Sequence, residues 1–219
     1  MNRIKYTTII SIIIIVFSFI MGIISNDMFI GFIALSSGLL NILFQSFGKP
    51  SNYIFGCIYN ISNAYISYIN RMYGLFLLSI ILYFPLNIYG FISWNKYKED
   101  DNIVKFRKYK KTKSILIVIT SIITSFILGF FLGIIPSQRL EFLDSSSNVL
   151  NIFGMVLLSK RLNEGWYILL SNNIIDLIIW IILFIDKSPS SQMMLTVSIG
   201  YLLVNIYGIY KWRNSLVLK

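Results

Sequence analysis

The chain has 219 residues, of which 56% are hydrophobic and only 13% charged, with a mean hydropathy of +0.73 and a formal net charge of +10. That balance excludes an ordinary soluble domain, in which about a quarter of the residues are charged. Without histidine and with a single cysteine, Cys57, the sequence also offers no internal disulfide, no evident metal site and no nucleophile paired with a base.

Charge gathers in short clusters separated by apolar stretches of about 17 to 25 residues, the length that crosses a hydrocarbon core of about 30 Å. Eight spanning helices are predicted, near residues 7–25, 28–48, 51–70, 74–95, 114–135, 140–159, 165–185 and 191–211. Arg3 and Lys5 precede the first, whose run from Ile9 to Ile20 resembles a secretory signal. No small-residue cleavage pattern follows, since Ser25-Asn26-Asp27 leads at once into another apolar segment, so residues 1–27 are read as a retained helix. Span two offers Asn41 and Gln45. In span three, Asn52, Gly56, Asn60, Asn63 and Ser67 recur at intervals of three or four, which at about 100° per residue confines them to an arc of about 80°. Amides in hydrocarbon are costly unless paired, so this face is expected to meet other helices or a wet cavity.

Span four aligns Tyr83, Asn87, Gly90 and Trp94, and contains Pro85, the source of either a kink on which the bundle rocks or a fixed bend. The basic stretch from Lys96 to Lys113 and span five follow. Span six holds Glu141 and Asp144 near its outer end, with Asn148 and Asn151 further in. Span seven starts around Trp166, placed either to stack on an aromatic ring or to sit among headgroups, and carries Asn172, Asn173 and Asp176. Span eight aligns Tyr201, Asn205, Gly208 and Trp212. Trp94 and Trp212 lie beside lysines and read as interfacial anchors, and the glycines as points of close helix approach.

Spans four and eight carry the same phrase. Asn87-Ile88-Tyr89-Gly90 with Tyr83 and Trp94 returns, 118 residues later, as Asn205-Ile206-Tyr207-Gly208 with Tyr201 and Trp212. Six of the twelve positions from 83 to 94 are identical to their partners. Ser36-Ser37-Gly38-Leu39-Leu40-Asn41-Ile42 likewise answers to Ser146-Ser147-Asn148-Val149-Leu150-Asn151-Ile152. Duplication inside so apolar a chain is a trace of membrane transporters, whose halves enclose a central site. With the N-terminus inside, sixteen of the nineteen lysines and arginines fall on inner segments and only Arg71, Arg139 and Lys187 outside, as the positive-inside rule requires. Both termini are then cytoplasmic, and the charge of +10 needs no nucleic acid to explain it. The expected fold is an all-α integral membrane protein: an N-terminal helix (1–27), a three-helix repeat (28–98), a basic loop and linker helix (99–137), a second repeat (138–214) and a tail (215–219). An odd linker keeps the two repeats parallel.

Asn60 through Ala64-Tyr65-Ile66-Ser67-Tyr68 to Tyr73-Gly74 resembles the PnuC family of vitamin transporters, as does Asn87-Ile88-Tyr89-Gly90 with Trp94. The likeness continues in Lys160-Arg161, Glu164, Trp166, Asn172 and Asn205-Ile206-Tyr207-Gly208 with Lys211-Trp212, covering roughly residues 28 to 214. It implies a SWEET-like duplicated fold in the inner (plasma) membrane, carrying nicotinamide riboside or, in sister groups, thiamine, riboflavin or deoxynucleosides. It also implies facilitated diffusion, with a cytoplasmic kinase trapping the substrate as its phosphate. One departure concerns the ligand: the family's riboside carriers show Glu-Gln-Trp-x-x-Trp where this chain reads Glu164-Gly165-Trp166-Tyr167-Ile168-Leu169.

The polar residues suit such a ligand in their own right. Asn41, Gln45, Asn60, Asn63, Asn87, Asn148, Asn151, Asn172, Asn173 and Asn205 can each donate and accept, so a ribose and a carboxamide could be held without burying fixed charge; the alternative is that they tie helix to helix. Trp166 and Asp176 complete the candidate set. Asp176, alone among acids near the middle of a span, is read as a counter-charge for a positive ring, a protonated carboxyl bonded to an amide, or a proton-coupling group. No cofactor or metal is expected. A homo-oligomer is compatible with all of this, and a non-transporting binding subunit or sensor is the rival from another class.

Overall fold

A computed structural model describes residues 2–27, 29–98, 104 and 111–217, and the side chains of these apart from 2–6, 111–115, 118 and 213–217. Most of the expected basic loop and the last two residues of the tail therefore lie outside the described residues, as do the side chains of Arg3, Lys5 and Arg213. The described chain forms eight helical rods: α1 (Asn2–Ile24), α2 (Ile30–Ser46), α3 (Asn52–Ile69), α4 (Tyr73–Lys96), α5 (Lys111–Leu132), α6 (Glu141–Ser159), α7 (Glu164–Ile185) and α8 (Ser191–Val217). Each falls within a few residues of a predicted span, apart from α1 and α8, which run further toward the chain ends.

The reversals are short because five helices, α1, α2, α3, α6 and α7, end in the same doubly bonded turn. In α3, for example, Met72 N–H donates to Ser67 O (2.9 Å) and Arg71 N–H to Tyr68 O (3.0 Å). The residue past each helix end adopts a left-handed conformation: Asn26, Gly48, Arg71, Arg161 and Lys187. Three of these are cationic, so the charge also faces the negative end of the helix dipole.

Six helices close into a ring. α2 packs on α3, α3 on α4, α4 on α6, α6 on α7, α7 on α8, and α8 returns to α2. α1 lies against α2 and α5 against α6, outside the ring, with long rows of exposed Ile and Phe such as Ile12, Ile13, Phe126 and Phe130. Large apolar side chains on an outer surface are what a bilayer solvates. Among the described residues, four helices are long and apolar enough to cross one: Thr7–Ile24, Tyr73–Lys96, Glu164–Ile185 and Ser191–Trp212. The eight predicted spans exceed that number: α2 has only 17 residues, α3 and α6 are diluted by the amides and serines that they turn toward the ring interior, and the unbroken stretch of α5 with described side chains is only Ile119–Leu132.

α4 is not one uniform rod. Its first turns are α-helical, Ser79–Tyr83 is a π-helix, and an α-helix resumes over Phe84–Lys96 with Pro85 in its first turn. Proline lacks an N–H and its ring crowds the carbonyl four residues back, so the wider π turn relieves the clash at Ile81. The corresponding Leu203 lies in the uninterrupted α8.

A buried polar chain ties α4 to α6. Tyr83 Oη donates to Asn148 Oδ1 (2.7 Å), and Asn148 Nδ2 donates to Asp144 Oδ1 (2.7 Å). Asp144 Oδ2 accepts from Gln138 Nε2 (2.8 Å) and from Gly74 N–H (3.1 Å) at the start of α4. Asp144 is wholly buried, a second carboxylate whose depth the sequence reading put only near the helix end.

Trp94 and Trp212 are not interfacial anchors. Trp94 is fully buried and its Nε1 donates to Leu158 O (2.8 Å) on the neighbouring α6, and Trp212 is buried in the same cluster. They read as anchors because they sit beside lysines, but the ring closes over them. Lys211 Nζ does lie 4.0 Å from the Phe47 ring and the Arg161 guanidinium 3.7 Å from Tyr97, at the end where Lys49 Nζ donates to Thr7 Oγ1 (3.2 Å). At the opposite end, Arg139 forms an ion pair with Asp186 and its N–H donates to Arg71 O (3.1 Å). Among the described residues, Lys49, Arg161 and Lys211 thus lie at one end of the bundle and Arg71 and Arg139 at the other.

Candidate functional site

The ring surrounds a hollow that lies between two apolar plugs. One plug, where α2 and α8 begin and α3 ends, contains Ala34, Leu35, Ile66, Met72, Met193 and Met194. The other contains Tyr53, Trp94, Leu158, Trp166 and Trp212, with Tyr53 and Trp94 edge to face at 5.1 Å between centroids. The hollow spans about 850 Å³ of atom-free space, of which about 80 Å³ is wide enough for the centre of a water molecule. The smaller figure, the one comparable with measured cavities, lies below the ~300–1,000 Å³ of small-molecule sites, so the interior is narrow and lined closely by side chains.

Ten of the twelve residues singled out in the sequence line it: Asn41, Gln45, Asn60, Asn63, Asn87, Asn151, Asn172, Asn173, Asp176 and Asn205. The structure puts the other two elsewhere. Asn148 is fully buried in the Asp144–Tyr83 chain, and the Trp166 ring packs on Gly208, neither stacked over the hollow nor lying at a headgroup surface. The polar arc of α3 faces inward as its spacing implies, with Asn52, Gly56, Asn60 and Asn63 on the wall and Ser67 buried beyond it.

The lining is under-bonded. Asn52 Nδ2 and Oδ1, Asn60 Nδ2, Asn63 Oδ1, Asn172 Oδ1 and Tyr53 Oη are buried without a hydrogen-bond partner in the protein, and all six belong to wall residues. Each costs about 1–3 kcal/mol if left dry. Such a wall suits contents that both donate and accept.

Asp176 is held in place. Ser147 Oγ donates to its Oδ1 and Asn172 Nδ2 to its Oδ2 (2.9 Å). In the same hollow, Tyr59 and Tyr201 form a tilted pair, 5.7 Å between centroids, and Trp180 one turn beyond Asp176 completes an aromatic side. Ser147, Tyr59, Tyr201 and Trp180 were not among the residues chosen from the sequence as ligand contacts. The signals were present for three: Ser147 belongs to the repeated Ser-Ser pair, Tyr201 shares the face of Asn205 beside the repeated phrase, and Trp180 shares the face of Asp176 four residues on.

One pair of contacts recurs in the two halves. A Cβ on Gly90 would fall 2.2 Å from the Tyr53 ring and one on Gly208 2.6 Å from the Trp166 ring, so Tyr53 and Trp166 fill equivalent notches. Counting ten residues on from each reaches Asn63 and Asp176, both on the wall. Where the first half presents an amide, the second presents a carboxylate. Among the described residues that line the hollow there is no lysine or arginine.

A family model described as nicotinamide mononucleotide transporter matches residues 28–214. The chain belongs to that family. Its relatives include a nicotinamide riboside transporter PnuC of Neisseria mucosa, 27% identical over 193 residues that cover 86% of this chain and 73% of the relative. Another of the same name, from Haemophilus influenzae, is 25% identical over 86% of this chain and 80% of the relative. A solved structure, described as that of the vitamin B3 transporter PnuC, superposes with a TM-score of 0.82 at 25% identity, covering 95% of this chain and 91% of the other. The PnuC resemblance seen in the sequence is therefore correct, and this family member is a membrane protein whose relatives are named as transporters rather than enzymes.

Proposed function

We propose that this protein takes up nicotinamide riboside by facilitated diffusion across the inner (plasma) membrane, and that a cytoplasmic kinase traps the product as its phosphate. The observation that carries the reading is the hollow itself: six unpartnered amide and phenol atoms, one carboxylate and no cation. Ribose hydroxyls and a carboxamide satisfy such atoms in both senses. A mononucleotide, which the family's description names, would bring a phosphate into a wall without a lysine or arginine, and a buried anion without a partner is strongly disfavoured. The relatives' names, which specify the riboside, agree with that chemistry.

The transport route follows from the ring. All eight helices span the membrane as two parallel repeats, α2–α4 and α6–α8, with α5 as the linker and α1 preceding them, the SWEET-like arrangement. Both termini face the cytoplasm, on the end that carries Lys49, Arg161 and Lys211. The glycine and leucine at positions 165 and 169, in place of the riboside carriers' glutamine and second tryptophan, make thiamine the runner-up.

Purified protein in liposomes tests the reading. Labelled nicotinamide riboside is expected to enter until it equals the outside concentration, without an ion gradient, and to accumulate only when an ATP-loaded riboside kinase is enclosed. Mononucleotide is expected to be excluded. Binding without entry would make the protein a sensor or capture subunit, and preferential entry of thiamine would replace the substrate.

A further inference from the structure

The hollow has one fixed charge, and its surroundings single out what that charge recognises. Asp176 sits on the α7 wall with one hydrogen bond to each carboxylate oxygen, from Ser147 and from Asn172. These two donors orient the group but supply no positive charge. No lysine or arginine is among the described lining residues, so the carboxylate has no counter-ion within the wall. Tyr59 of α3 and Tyr201 of α8 line the same hollow, and Trp180 lies one turn beyond Asp176 on its own helix; their ring faces attract cations and accept stacked rings. At the repeat-related position the first half holds Asn63, so the first wall carries an amide where the second carries the charge.

We infer that Asp176, with the aromatic side formed by Tyr59, Tyr201 and Trp180, is the specificity-determining site of this transporter and selects a ligand whose ring is positively charged. The inference rests on the uptake reading above and deepens it, since the oxidised nicotinamide ring and the thiazolium of thiamine are both such rings, whereas riboflavin and the common nucleosides are neutral. The amides hold the hydroxyls and the carboxamide. Asp176 then supplies the counter-charge that distinguishes cation from neutral isostere, and Ser147 is a positioning residue acting through it.

The test compares two ligands that differ in ring charge. Nicotinamide riboside and its 1,4-dihydro form share ribose and carboxamide, and only the first carries a positive ring. Binding to the purified protein is measured for both, with thiamine and riboflavin as a second cationic and neutral pair. Wild type is expected to prefer each cation. Asp176→Asn is expected to weaken cation binding about 30-fold or more, the range for removing one partner of a buried charge pair, while dihydro-riboside affinity stays within a few fold. The double variant Asn63→Asp with Asp176→Asn moves the carboxylate to the matching wall and is expected to restore part of the cation preference, which a merely structural role for Asp176 would not do. If the single variant fails to fold, the wild-type preference for each cation over its neutral counterpart still decides the inference.

Unchanged cation affinity in Asp176→Asn overturns the inference and leaves riboside uptake standing. If nicotinamide riboside does not bind but thiamine binds in an Asp176-dependent manner, the uptake reading loses its substrate and the cation site stands. Wild type that binds only riboflavin, only the dihydro-riboside, or no cation in the panel overturns the site.

Discussion

The two copies of Asn-Ile-Tyr-Gly, in α4 and in α8, have the same spelling and hold different things. Asn87 turns its Nδ2 back to Tyr83 O (2.9 Å) on its own helix. Asn205 reaches across: with its amide oriented to satisfy both ends, it donates to Trp166 O (3.0 Å) and accepts from Asn173 Nδ2 (3.0 Å), fastening α8 to α7. Tyr83 makes a 2.7 Å bond to Asn148, while Tyr201 reaches Asn41 only at 3.4 Å and leans on Tyr59 instead. The glycine serves the same purpose in both, admitting Tyr53 or Trp166, and the isoleucine and tyrosine face outward in both. A duplicated phrase fixes depth and face along a helix; the neighbours decide which bonds it makes.

The shared contact gives the largest expected effect. Gly90→Leu and Gly208→Leu each push a side chain into the Tyr53 or Trp166 ring and are expected to destabilise by about 1–3 kcal/mol or more, read as a fall in the midpoint of thermal unfolding in detergent. A large fall in one half alone would break the equivalence from which Asn63 and Asp176 were paired. The asparagines come next. Asn205→Ala cuts a tie between helices and is expected to cost about 1 kcal/mol, and Asn87→Ala a few tenths, since interhelical bonds in membranes average about 0.6 kcal/mol; equal losses would show that the two amides do the same work. The smallest effect is expected from Pro85→Leu, which writes Leu203 into the first copy. Stability should move by less than about 1 kcal/mol while the uptake rate falls with riboside affinity unchanged. An unaltered rate would make the π turn a fixed bend rather than a moving part.

Much of the bundle was legible because its interior and exterior differ from an ordinary protein's. Apolar runs and short basic clusters marked all eight helices, and amides stand out against such a background, which is why ten chosen side chains face one hollow. Asn148 was misplaced because it is only one turn from Asn151, and periodicity cannot say which of two neighbouring amides meets Tyr83 and which meets the hollow. Trp166, Trp94 and Trp212 misled for the reverse reason: tryptophan near lysine at a helix end suits a headgroup surface, and only the closed ring reveals that these indoles are internal. The aromatic side escaped notice because Tyr59 and Trp180 are unremarkable in apolar helices until Asp176 stands beside them. The Schellman-type turns at Arg71, Arg161 and Lys187 were invisible too, since a left-handed residue announces itself in sequence mainly when it is glycine.

The ring has two places where its halves meet, and they are built from different materials. Along α4 and α6 the join is stitched by directional bonds: Gly74 to Asp144, Tyr83 to Asn148, Ser93 Oγ to Ser159 O (2.8 Å) and Trp94 to Leu158. Along α2 and α8 it is mostly hydrocarbon, with Gly200 against Leu39 and Gly38 against Val197. Directional bonds snap when partners slide, whereas hydrocarbon surfaces can shear and re-seat. The two joins thus differ in what a displacement would cost: at the fourth and sixth helices named hydrogen bonds would have to part, and at the second and last mainly packed hydrocarbon would.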